Sequence, residues 1–311
     1  MIRVLCLNPT IDRMYYISSF VAGTQYHGNC PETYPSGKGI NVARILRAFS
    51  VKATVYAFVG GSNGKRIEDE VIRLGHEGVF FRHEGETRET INIIDREKEQ
   101  ETEITESGVV ISSSQQQAFL EKLEADLRER DLVICSGLPA NGMDVDIYHK
   151  VSLLCERRGA SCVVDANRQF LQNSFPGKYL FAKPNRNELQ KLFGVQTELD
   201  DDEIIDYAKR LVGSGVENVL VTLGGDGAIF VNKDSVYRLR IPEVKVVSTI
   251  GSGDSAVTGF CYGYMTGLDI EGCLKLAMAF GVVNAMHPEV GFVVKDEVEA
   301  MVGRIKVKKL A

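Results

Sequence analysis

Apolar residues fall in short blocks separated by Gly, Asn, Asp and Pro, and the spacing of those blocks alternates between strand and helix periods. Met1 to Leu7 is an apolar run that reads as a buried strand ending at Asn8-Pro9-Thr10-Ile11-Asp12. The pattern then predicts a helix over Asn41 to Phe49, a strand over Ala53 to Val59 and a helix over Gly64 to Leu74. From Gln115 the rhythm is regular: helix to about Arg130, strand Leu132 to Cys135, helix about Val145 to Arg158, strands Cys162 to Asp165 and Leu180 to Ala182. Helix Asp202 to Val212 and strands Asn218 to Thr222 and Ala228 to Asn232 follow, then helices about Ser255 to Met265, Ile270 to Met286 and Lys295 to Ile305. Strands alternating with helices predict an α/β fold whose central sheet is mostly parallel and covered by helices on both faces.

Two stretches break the rhythm. Met14 to Pro35 and Thr87 to Ser107 are short, irregular and strand-rich, and Asp95 to Gln100 reads as a solvated hairpin tip. Paired, they predict a small antiparallel β-sheet lid, formed by about 12–36 and 86–108 and inserted in a single domain spanning 1–311.

The chemistry concentrates where a β-branched run, Val247-Ser248-Thr249-Ile250, meets Gly251-Ser252-Gly253-Asp254. This reads as a strand, a tight turn and a helix start. The free N–H groups of a helix's first turn, with the positive end of its dipole behind them, form an anion site. Asp254 in that turn adds a carboxylate able to take a proton, which together is what phosphoryl transfer to a hydroxyl needs. The plain alternative is a helix cap with turn glycines.

Other pieces carry the same ambiguity. Ser36-Gly37-Lys38-Gly39-Ile40-Asn41 puts a cation between two glycines at a helix entry, with an amide that suits a sugar or phosphate, or is only a turn. Lys183-Pro184-Asn185-Arg186-Asn187-Glu188 offers a cation, an amide and a carboxylate; Glu188 either holds water on a hydrated magnesium or caps a helix. Thr222-Leu223-Gly224-Gly225-Asp226-Gly227 is a glycine turn between two strands, a hairpin or one wall of a nucleotide cleft. Arg88 either forks onto a phosphate or pairs with Glu86 or Glu89, and Asp12 either accepts from sugar hydroxyls or caps a turn. Gly60 to Arg66 is one residue short of a P-loop and has Arg66 where Ser or Thr belongs, so it is rejected as a nucleotide loop. Asp200 to Glu203 is read as helix capping, and the five histidines show no metal-ligand spacing.

Composition narrows the classes. A net charge of −6 leaves no basic footprint for nucleic acid, and the lysines at 306, 308 and 309 lie in a short tail read as solvated. Seven cysteines form no CxxC pair, and no leader follows Met1 and no apolar run nears membrane-spanning length, so a cytoplasmic protein is expected. The first strand lacks a glycine-rich turn, which argues against a nicotinamide dehydrogenase.

Taken in order, Asn8 to Asp12, Ser36 to Ala43, Thr87-Arg88, Lys183 to Glu188, Thr222 to Gly227 and Thr249 to Asp254 resemble the ribokinase-like (PfkB) carbohydrate kinases over nearly the whole chain. Gly37 to Ala43, Thr87-Arg88 and Thr102 to Glu106 are similar to the 1-phosphofructokinase and tagatose-6-phosphate kinase branch. The resemblance implies MgATP as donor, a phosphorylated ketohexose as acceptor, Asp254 as the base, and Gly251, Ser252 and Gly253 as the anion hole. It implies Asp12, Gly37, Lys38, Asn41 and Arg88 at the sugar phosphate, and Lys183, Asn185, Thr222, Gly224 and Gly227 at the nucleotide. It also implies magnesium ordered through water by Asn185 and Glu188, and a homodimer through the lid. The chain departs from the branch at Gly137, where a hydroxyl residue is usual, and at Thr90, His27 and Asn167. Two other readings stay open: a nucleoside or unphosphorylated-sugar kinase, and a catalytically silent sugar-phosphate sensor.

Overall fold

The first apolar run becomes a strand buried at all five positions, β1 (Ile2–Cys6), because it lies between two parallel neighbours in a sheet whose faces are both covered. The structure, a computed structural model, describes residues 1–27, 31–98, 100–166 and 168–311, with the Arg168 side chain outside the description. After β1 come β2 (Thr10–Ile17), β3 (Glu32–Ser36), α1 (Lys38–Ala48), β4 (Ala53–Val59), α2 (Gly61–Arg73), β5 (Glu77–Arg82), β6 (Glu89–Asp95) and β7 (Gln100–Thr105). The middle of the chain gives α3 (Ser113–Asp126), β8 (Leu132–Ser136), α4 (Ile147–Arg158), β9 (Ser161–Asp165), α5 (Arg168–Gln172), β10 (Tyr179–Ala182), α6 (Arg186–Phe193) and α7 (Asp201–Gly213). It ends with β11 (Val216–Thr222), β12 (Ala228–Asn232), β13 (Val236–Arg240), α8 (Ser252–Met265), α9 (Ile270–Ala285), α10 (Lys295–Val302) and β14 (Lys306–Lys309).

Ten strands form the main sheet in the order β14-β13-β12-β11-β10-β9-β8-β1-β4-β5. From β11 to β5 every pairing is parallel, and β12, β13 and β14 are added antiparallel at the other edge. One face is packed by α1, α2, α8, α9 and α10, the other by α3, α4, α6 and α7. Phe181 of β10 stacks on Phe260 of α8 with ring centroids 3.8 Å apart, which fixes α8 against the sheet. The predicted α/β fold with a mostly parallel sheet is therefore the observed one.

The second sheet has the order β3-β2-β6-β7. Its two hairpins are antiparallel, but β2 and β6 join them in parallel, so the sheet is mixed. Two local expectations fail. Val247 to Ile250 is not a strand: the N–H groups of Val247 and Ser248 both donate to Ala285 O at the end of α9, and the sheet edge beside β13 is already taken by β14. The lysine-rich tail is exposed, yet it is that edge strand, β14, paired to β13.

Because β1, β8, β9, β10 and β11 run the same way, the residues after their C-terminal ends gather along one rim of the sheet. Helix α1 reaches that rim only because Gly39 lets it lie on β1; a Cβ there would stand 2.5 Å from Cys6 Cβ and 2.9 Å from Cys6 Cα. Gly39→Ala is expected to destabilise the protein by about 1–3 kcal/mol through this overpacking. Urea unfolding checks it, and an unchanged midpoint would contradict the packing described.

Candidate active site

Gly251 caps α8 with a φ of 79°, a left-handed conformation that turns the chain into the helix. Ser252, Gly253 and Asp254 follow as its first turn. The turn is pinned from α9 by Asn284, fully buried, whose Nδ2 donates to Ile250 O at 2.8 Å and to Ser252 Oγ at 3.2 Å. Its Oδ1 accepts from Ser255 Oγ and from Phe292 N, each at 3.2 Å, so one amide uses both ends to hold two loops.

Asp254 is buried, with 4% of its surface exposed. Asn41 of α1 donates from Nδ2 to Asp254 Oδ2 at 2.9 Å. Arg44, a turn further along α1, donates to Asn41 Oδ1 at 3.3 Å, which leaves the Asn41 amide group facing the carboxylate. Lys38, at the start of α1, places Nζ 4.0 Å from Asp254 Oδ1 and 3.0 Å from Asp165 Oδ2. Lys183, just past β10, places Nζ 3.5 Å from Asp165 Oδ1. A Cβ on Gly253 would come within 3.1 Å of Lys183 Nζ, so that ammonium lies against the first turn of α8.

Two buried carboxylates, the buried Lys183 and the partly exposed Lys38 thus share one space, and they share it unequally. Burial pushes the Asp254 carboxyl up; Lys38 opposes this, Asp165 adds to it, and the Asn41 bond and Lys183 oppose it, leaving the pKa at about 6. For Asp165, burial is outweighed by Lys183 and then Lys38, and the carboxyl stays below its ordinary value. Burial alone would lower the Lys38 pKa, but Asp165, then Asp254 and Glu188, raise it.

Cavities open on either side. One, of about 300 Å³, is walled by Thr222, Gly224, Gly227, Val246, Met278 and Gly253 and is largely apolar. Asn185 reaches it from the start of α6, where its Oδ1 accepts from Glu188 N at 2.8 Å and its own N–H donates to Glu188 Oε2 at 2.8 Å. The capping reading of this pair is the observed one, and the box fixes the Asn185 side chain at the cavity edge. Gly227, with φ 91°, has no room for a side chain, since a Cβ would fall 2.2 Å from Leu239 O.

The other cavity, about 170 Å³, is lined by Asn8, Gly37, Lys38, Arg88, Ser136 and Gly137 among others. Arg88 donates from Nη2 to Asn8 O at 3.2 Å, while its Nε is buried without a partner. Both acids that could have paired with it are engaged elsewhere: Glu89 takes Arg13, and Glu86 accepts from the N–H groups of Ser62 and Asn63. The latter contact also accounts for Gly60 to Arg66, a helix N-terminus already filled by the protein's own carboxylate. Asp12 stands on β2 near Arg88, its pKa raised by burial against the pull of Ser36 and Arg88.

Asp165 and Asn284 are the two residues at this centre that the sequence reading passed over as site candidates. The only signal for Asp165 was an acid at the end of a strand, and Asn284 had none. Of the departures, Thr90 is buried with its Oγ1 3.0 Å from Thr10 Oγ1, His27 is exposed, and Asn167 lies outside the described residues.

Comparison with known proteins decides the family. The profile of the pfkB family carbohydrate kinases matches residues 5–296. The chain belongs to that family. It is 32% identical over 310 residues to a 1-phosphofructokinase of Bacillus subtilis, covering 100% of both chains. It is 31% identical over 309 residues to a tagatose-6-phosphate kinase of Staphylococcus epidermidis, covering 99% of both. The fold matches a crystal structure of phosphofructokinase-2 from Escherichia coli with a TM-score of 0.90 at 20% identity, over 97% of this chain and 98% of that one. As a pfkB carbohydrate kinase the chain is a phosphotransferase with an alcohol group as acceptor.

Within this kinase, Asp165→Asn is expected to cost about 3 kcal/mol, because it leaves the buried Lys183 ammonium without its carboxylate and the partly exposed Lys38 without its nearer one. It should also lower the pKa of Asp254, which Asp165 raises. Denaturant unfolding and the acid limb of the pH–rate profile check the two effects, and wild-type stability would contradict the shared pairing.

Proposed function

We propose that the chain transfers the γ-phosphate of ATP, as its magnesium complex, to a hydroxyl of a phosphorylated ketohexose: fructose 1-phosphate, tagatose 6-phosphate or fructose 6-phosphate. The observation that carries this reading is Arg88, a guanidinium with a buried, unpartnered Nε lining a small cavity of mixed character beside Lys38. An unphosphorylated sugar or a nucleoside would leave that donor idle; a phosphate would meet it with a charge-assisted bond. Lys38 and Asp12 would complete the acceptor side, with Gly37 and Asn41 shaping it.

Asp254 follows Gly253, which lines the larger cavity, and lies 4.0 Å from Lys38, which lines the smaller one. It would take the proton of the acceptor hydroxyl as that oxygen attacks in line. A carboxyl with a pKa of about 6 is ionised at neutral pH and still a better base than an ordinary aspartate. The N–H groups of Gly251, Ser252 and Gly253, with Lys183 beside them, would meet the negative charge on the transferring group. Asn185, Thr222, Gly224 and Gly227 would hold the nucleotide, its base against the apolar walls. Magnesium keeps several waters when bound, and the described residues include no cluster of three acids that could cage it. Asn185 and Glu188 would therefore hold it through water, where it would neutralise phosphate charge.

The same reading expects a homodimer through the four-stranded sheet, which exposes Tyr16, Tyr34 and Ile104. It also expects a cytoplasmic protein, consistent with the six described cysteines being free and buried. No helix is long and apolar enough to cross a membrane among the described residues.

Asp254→Asn should lower kcat by at least about a hundredfold while ATP still binds. Near-native turnover would remove Asp254 as the base. Arg88→Ala should raise KM for the sugar phosphate about tenfold or more and leave KM for ATP within about twofold; equal effects on both would remove the phosphate site. The pH profile of kcat/KM should fall below about pH 6. Lys38 lowers the Asp254 pKa, so Lys38→Met should move that acid limb to higher pH, and a limb that stays put or moves down would contradict the electrostatics.

A further inference from the structure

A buried hydroxyl with no hydrogen-bond partner is costly to the fold and persists where something else repays it. Ser136, the last residue of β8, has 3% of its surface exposed, and its Oγ has no partner. It lines the same small cavity as Arg88, whose Nε is likewise buried and unpartnered.

The surroundings of Ser136 are fixed without help from its side chain. Gly137 follows with φ 91°; its N–H donates to Asp165 O at 3.0 Å and its carbonyl accepts from Tyr148 OH at 3.0 Å. A Cβ on Gly137 would sit 3.4 Å from Lys38 Cβ, so this turn packs directly over the lysine. Cys135, just before, is buried with Sγ 3.7 Å from Cys162 Sγ. Backbone bonds and packing account for the turn, and the Ser136 hydroxyl is left over. The turn that lacks a hydroxyl at Gly137 carries one at the preceding position.

We propose that Ser136 is a specificity-determining residue that hydrogen-bonds a hydroxyl of the acceptor sugar. The contact rests on the reading of this cavity as the sugar-phosphate site. Arg88 takes the acceptor's phosphate, Asp254 takes the proton of the attacking hydroxyl, and Ser136 engages a further hydroxyl. A sugar that lacks that hydroxyl leaves Ser136 unpartnered, so the enzyme discriminates against it.

The test is steady-state kinetics of the wild type and Ser136→Ala with fructose and tagatose phosphates and with monodeoxy analogues of whichever is turned over best. Ser136→Ala is expected to lower kcat/KM for that sugar phosphate about tenfold and to leave KM for ATP within about twofold. One monodeoxy analogue is expected to be about tenfold poorer than its parent for the wild type, and equal to its parent for Ser136→Ala. The ligand-free variant is expected to unfold at the wild-type temperature or above. Unchanged kinetics in Ser136→Ala, equal losses for both substrates, no analogue whose discrimination disappears, or a lower unfolding temperature each overturns the proposal while leaving the kinase reading intact. A wild type that turns over none of the sugar phosphates overturns both together.

Discussion

The centre of this molecule is set by a shortage: two buried carboxylates share two ammoniums, and one carboxylate takes more of them. Asp165 meets Lys38 and Lys183 at 3.0 and 3.5 Å, while Asp254 has Lys38 at 4.0 Å and the neutral amide of Asn41. Like charge from Asp165 and loss of water both disfavour ionised Asp254. Environments that push two neighbouring acids apart are how a fold assigns them different roles. Here Asp165 is held as the charged counter-ion of both lysines, while the Asp254 carboxyl is left with its pKa raised.

The fold supplies this arrangement from four separate elements. Lys38 begins α1, Asp165 ends β9, Lys183 follows β10 and Asp254 begins α8. Parallel strands bring the second and third together at one rim, Gly39 admits the first, and Phe260 on Phe181 seats the fourth. Asn284 then holds the turn before Asp254 against the loop at Phe292. The result sets a larger apolar cavity at Gly253 and a small mixed one at Lys38, the two residues that flank the Asp254 carboxylate.

Much of this was legible in the sequence, for a physical reason. Glycines followed by an acid at a helix start, Gly37 and Gly39 around Lys38, and the alternation of strand and helix are local signals; the alternation gave the fold class, and the structure brings Lys38 and Asn41 beside Asp254. What was not legible depends on contacts between distant parts of the chain. Asp165 acquires its role only when β9 lies beside β10 and faces α1, whose Lys38 is 127 residues away. The β-branched run before Gly251 looked like a strand because propensity cannot show that its N–H groups go to Ala285. The parallel junction of β2 and β6, and the strand made by the lysine-rich tail, are likewise decided by partners rather than by pattern.

The central claim is that the small cavity and Asp254 act together on a phosphorylated acceptor. It is tested most directly by ADP release across paired acceptors: fructose and tagatose, their 1- and 6-phosphates, and a nucleoside, with Asp254→Asn as the blank. The account predicts that one of the phosphorylated ketohexoses exceeds its unphosphorylated parent in kcat/KM by at least about a hundredfold, the worth of a buried charge-assisted contact. Equal or better turnover of an unphosphorylated sugar or a nucleoside, or ADP release no greater than that of the blank, would contradict it.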